Sequence, residues 1–300
     1  MLPERAMHFL LLLVLALFTT ALDSASAAAE DGPNASSGRP ESAELQIRVL
    51  RGDWGRASPR DIEAVLHSAA AELWVHVADR KPLALVVVPA SEHPQVLYEI
   101  SPAGEYLVQL SARDRRWAQY AYQFAHEFCH VLANFDQRVS EAGAPLTRQQ
   151  WFEETLCEVA SIYTLRQMAV TWKSSPPFPH WKSYAPWLRE YADGMLATEH
   201  RQGASELGLP AWYALNGDAL AGDPYVRERN EFCATALLPR FEAAPEQWNA
   251  LRYLNGGGSA AADTFRDYLV HWRRSSRDNS RRFVGELIAT FGFADAISVR

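Results

Sequence analysis

Residues 114–136 read DRRWAQYAYQFAHEFCHVLANFD. They predict one long helix from about Arg115 to Asn134, with Asp114 as its N-cap. Inside it stands His126-Glu127-Phe128-Cys129-His130, a His-Glu-x-x-His motif. Residues at i and i+4 share one helix face, so both imidazoles can bind one metal ion. Glu127 lies beside them, where a carboxylate reaches a metal-bound water. The plain alternative is a structural helix that carries two histidines.

A catalytic zinc site needs a third protein ligand. The next helical stretch begins Trp151-Phe152-Glu153-Glu154-Thr155-Leu156-Cys157-Glu158. Glu154 is the leading candidate. Glu158 follows it by one turn and could hydrogen-bond a ligand histidine to fix its tautomer. Glu153 sits about 100° off that face and reads as a solvated first-turn acid. Asp136, six residues after His130, is the rival. A ligand at that place normally relies on a midway glycine to leave the helix, and this chain has Ala133 there.

Working outward toward the N-terminus, Tyr106–Leu110, Val96–Ile100, Leu83–Val88 and Leu45–Leu50 read as strands. Ser101-Pro102-Ala103-Gly104 is a turn between two of them. Ser58-Pro59 reads as an N-cap followed by proline at the first helical position. Toward the C-terminus the pattern is helical, over 151–171, 184–199, 223–241, 246–254, 263–276 and 281–291. Pro-rich (175–179) and Gly-rich (256–258) connectors separate some of these helices. The fold expected is α+β: a half over 45–145 with a small mixed sheet and the motif helix, then a mostly helical half over 146–300 that carries Glu154.

Phe9–Phe18 is an unbroken apolar run after a weakly basic start, and Ala25-Ser26-Ala27 offers a small-x-small cleavage site. Residues 1–27 therefore read as a secretory signal peptide, and 28–44 as a flexible linker. The expected location is secreted or periplasmic, with no stable membrane span after cleavage. The 300 residues carry a net charge of −7 and are 48% hydrophobic. That excludes whole-chain disorder and disfavours nucleic acid as a partner. The arginines at 273, 274, 277, 281 and 282 read as a solvated face. Three cysteines are too few for a disulfide scaffold.

Together these residues resemble the gluzincins, the zinc metallopeptidase superfamily of thermolysin and the zinc aminopeptidases. The resemblance is carried by His-Glu-x-x-His at 126–130, by Trp151-Phe152-Glu153-Glu154, and by Tyr106–Leu110 as the substrate-binding edge strand. It covers roughly 83–172, and the rest only by helical character. It implies a zincin-like catalytic half, zinc (Zn2+) held by His126, His130 and Glu154, and a peptide or protein substrate. Glu127 is then the general base toward the zinc-bound water. A tyrosine or histidine from the helical half stabilises the oxyanion, with Tyr225 the leading candidate and Tyr213, Tyr253 and His271 open. The crossing of the two ligand helices brings Cys129 near Cys157, either as a disulfide or as two small buried residues.

The chain departs from both branches. The interval 131–153 between His130 and Glu154 is slightly long, the aminopeptidase Gly-x-Met-x-Asn is absent, and Glu153-Glu154 replaces Asn-Glu. The superfamily is assigned here without a branch. A different class of reading is a non-catalytic zincin-like domain that binds a protein or glycan through the cleft.

Overall fold

The computed structural model describes residues 44–77, 81–138, 147–203, 208–256 and 263–293. The expected signal peptide and nearly all of the linker lie outside the described residues. The α+β and helical halves fall in one contact unit, Ser42–Arg300. No helix among the described residues is long and apolar enough to cross a membrane.

Four strands form one mixed sheet in the order β1-β2-β4-β3. They are β1 Leu45–Val49, β2 Leu83–Pro89, β3 Gln95–Ile100 and β4 Glu105–Leu110. β1, β2 and β4 run parallel, with Leu85 opposite Tyr106, while β3 is antiparallel to β4. Leu85, Val86 and Val87 of β2 are buried, as a central parallel strand requires. The turn at Ser101–Gly104 closes on a Gly104 N–H to Ser101 carbonyl bond, with Gly104 at φ 80. Only glycine takes that conformation at little cost.

This topology corrects one expectation. β4, which contains Tyr106–Leu110, is paired on both sides and cannot present a free edge. β3 takes the edge instead, and its Tyr98 and Ile100 are exposed. The strand pattern alone does not give the order in which strands pair.

Helix α1 (Pro59–Trp74) follows β1, and the Ser58 side chain accepts the Asp61 N–H as expected of a cap. The motif helix α2 spans Trp117–Leu132. Asp114 does not cap it: the residue sits at φ 55 and its carboxylate accepts from Arg56. At the other end Asn134 turns left-handed at φ 56 and its Nδ2 donates to the Arg252 carbonyl, which stops the helix. Helix α3 (Gln150–Thr171) packs on α2 more extensively than any other pair of elements do. It is buried almost all round, as a helix at the centre of a protein is.

Helices α4 (Ala185–Leu196), α5 (Leu209–Gly222), α6 (Arg227–Ala243), α7 (Phe265–Ser275) and α8 (Asp278–Thr290) complete the fold. The sequence reading missed α5 and extended α6 backward over residues 223–226. Residues 246–254 are mostly 3-10 helix, Pro245–Tyr253. Trp151 and Phe152 anchor the first turn of α3 in an aromatic cluster, with ring centroids 4.7 Å and 5.0 Å from Phe265. That anchorage fixes the direction of the two glutamates that follow.

Candidate metal centre

Helix α2 places His126 and His130 one turn apart, ring centroids 5.1 Å from each other. The first turn of α3 brings Glu154 against both. Its Oε2 lies 3.3 Å from His126 Nε2 and 3.4 Å from His130 Nε2. A tetrahedral zinc with bonds of about 2.0–2.1 Å spaces its ligand atoms by about 3.3 Å, so this donor set fits the ion. The other Glu154 oxygen accepts from Gln150 Nε2 at 3.3 Å, which leaves Oε2 toward the histidines.

The remaining nitrogen of His130 is also held. Its Nδ1 is 2.6 Å from Glu153 Oε1. Glu153 is fully buried, and its Oε2 accepts from Asn255 Nδ2 at 2.6 Å. Asn255 also donates to the Ala133 carbonyl and accepts from the Tyr268 hydroxyl. This corrects two expectations. Glu153 is no solvated acid; it does the orienting that was expected of Glu158. The first turn of α3 is itself packed under Asn255, so position 153 faces the protein. Glu158 instead accepts from the Tyr122 hydroxyl at 2.5 Å and pairs with Arg201.

Electrostatics follow from this packing. Burial opposes the charged form of His130, but the Glu154 and Glu153 carboxylates outweigh it and hold its pKa well above the usual value. Burial pushes Glu154 up, yet His130 and His126 dominate and hold its carboxyl well below the usual range. Glu127 goes the other way. Burial raises its pKa, against the pull of the two histidines and of the nearby Val96 N–H. A buried carboxylate with a raised pKa is suited to taking up a proton.

A cleft of ≈ 250 Å³ opens on these groups. His126, Glu127 and Glu154 line it, and so does Tyr225 from the loop before α6. The Tyr225 hydroxyl accepts from Gln150 Nε2 at 2.7 Å, the same amide that holds Glu154. Tyr213, Tyr253, His271 and Asp136 do not line this cleft. Tyr213 belongs to the Trp151 cluster, and His271 pairs with Asp263. The sequence reading missed His93, which lines the mouth just before β3, and Arg227 and Asn230 on α6. No motif marks them; only the fold brings them here.

Cys157 Sγ competes for the place of third ligand, since it lies within 4.8 Å of the His126 and His130 nitrogens. Burial, and a hydrogen bond with Cys129, push the Cys157 thiol well up. Glu154 Oε2 is at 3.3 Å and 3.4 Å from the two imidazole nitrogens. Cys129, Cys157 and Cys233 are all free buried thiols.

No protein-family model matches the chain, and no curated protein matches it by sequence.

Proposed function

We propose that the chain is a zinc-dependent metallohydrolase of gluzincin type, acting as a peptidase. The observation that carries the reading is the placement of Glu154 Oε2 at 3.3 Å and 3.4 Å from the two histidine nitrogens. His126, His130 and Glu154 would hold the ion, and Glu153 fixes the tautomer of His130 from behind. When bound, zinc polarises a carbonyl and brings the pKa of water toward about 7.

The chain's own groups supply the rest. Glu127 takes the proton of the attacking water and delivers it to the leaving amine. Tyr225 donates to the oxyanion that develops on the carbonyl oxygen. Among the described residues β3 is an edge strand that lies beside Glu127 at Val96, and an extended peptide can pair with an edge strand. That support favours a peptide over a compact substrate. Export through the apolar leader at 1–27 belongs to the same proposal.

Glu127→Gln tests the chemistry. The expected protein keeps its zinc and loses hydrolysis of a peptide library by at least about 10²-fold. Full activity in that variant removes the mechanism. Zinc retained with no turnover in the wild type favours the non-catalytic binding domain.

A further inference from the structure

The α6 wall of the cleft holds charges that the proposed chemistry leaves unused. Arg227 opens α6 and lines the cleft together with Glu127 and Glu154. Its side chain is 70% exposed. Glu231 Oε1 holds its Nε, and the other Glu158 and Glu231 oxygens are committed to other partners. Glu158 uses Oε1 on Arg201 and Oε2 on the Tyr122 hydroxyl. Glu231 uses Oε1 on Arg227 Nε, and Oε2 on His200 and Arg201. Among the described residues, Nε is the only guanidinium nitrogen of Arg227 with a protein partner.

Beneath this group Arg201 is 2% exposed. Apolar packing would join α3 and α6 with no desolvation cost, so the buried network is a poor device for stability alone. What it adds is a fixed orientation for Arg227, clamped through Glu231. Asn230 lies one turn further on the same helix face. It is 5% exposed, and its Nδ2 donates to the Pro224 carbonyl at 2.7 Å. Its Oδ1 has no partner among the described residues. A buried acceptor with no protein partner is satisfied by an ordered water or a ligand donor.

We propose that Arg227 and Asn230 form a subsite for a peptide carboxylate, on a substrate cleaved at the metal centre; this deepens the peptidase reading and rests on it. The guanidinium fork matches a carboxylate in shape and charge. Asn230, whose buried Oδ1 has no partner among the described residues, reaches the N–H of the same substrate residue through one water. The carboxylate comes from the C-terminus of the peptide or from an Asp or Glu side chain.

The test is peptide binding to the full-length Glu127→Gln chain, with bound zinc measured on the same sample. One peptide is compared as free acid and C-terminal amide, and with Glu or Gln at each internal position. The carboxylate form should bind about tenfold more tightly than its neutral twin. The gap should close in Glu127→Gln/Arg227→Gln and partly persist with Arg227→Lys. Loss on amidation identifies the terminal carboxylate as the source, and loss on Glu→Gln exchange identifies a side chain. Equal binding of acid and neutral forms, or a preference that survives Arg227→Gln, overturns the subsite. A chain that binds no zinc fails the peptidase reading instead, while the same titration still reads the selectivity of Arg227.

Discussion

Glu153 and Glu154 are neighbours in the chain and meet opposite nitrogens of one imidazole. Glu154 reaches His130 Nε2 and Glu153 reaches His130 Nδ1. The first contact suits a metal ligand and the second suits the group that orients it. Glu153→Ala should therefore leave all three ligands in place and weaken zinc binding by about 10–100-fold. Competition against a chelator measures this, and an unchanged affinity would deprive Glu153 of its role. The approach of His126 to His130 was legible because residues at i and i+4 share one helix face. The division of labour between the two glutamates was not. Which of two adjacent first-turn residues points at a neighbouring helix depends on how that helix is rolled, and the rolling is set by Trp151 and Phe152 against Phe265.

Among the described residues, the hydrogen bond of greatest sequence separation runs from Asn255 back to Ala133 at the end of α2. The Asn255 amide touches both the Ala133 carbonyl and Glu153 Oε2, and Tyr268 on α7 donates to its oxygen. Asn255 and Tyr268 thus tie the C-terminal helices to the candidate metal centre. Asn255→Asp sets a carboxylate against a buried carboxylate and removes the donor. We expect zinc affinity to fall at least as far as in Glu153→Ala, and the spectrum of the cobalt-loaded protein to change. Wild-type affinity and spectrum would show that Asn255 serves packing only. Strands and most helices were legible at this scale from alternation and from caps such as Ser58. The edge position of β3 and the helix α5 were not, because pairing order and a Gly- and Pro-bearing helix leave no local pattern.

Across the whole molecule, Arg201 ties α3 to α6. It pairs with Glu158 and Glu231 and donates to Thr235 Oγ1. Arg201→Met leaves two buried carboxylates short of a cation and should cost about 3–5 kcal/mol. Arg227→Gln removes an exposed partner and should cost no more than about 1 kcal/mol. Denaturant titration separates the two, and similar costs would contradict the placement of the network. The same network sets an acid limit. Burial raises the Glu231 pKa, but Arg227, Arg201 and His200 outweigh it and hold the group below its ordinary 4.5. Its contribution is full above that value and is lost as the pH falls below it. Arg201→Met should accordingly unfold at a higher pH than the wild type on acid titration. Nothing in the sequence marked Arg201, since its partners lie 30 and 43 residues away.

In the proposed site Glu154, and not the nearby Cys157, completes the zinc ligands with His126 and His130. The decisive measurement is bound zinc per chain in the wild type, Glu154→Ala and Cys157→Ser side by side. One zinc in the wild type and in Cys157→Ser, with marked loss in Glu154→Ala, is the predicted result. Zinc retained by Glu154→Ala and lost from Cys157→Ser, or no zinc in any folded protein supplied with it, would contradict it.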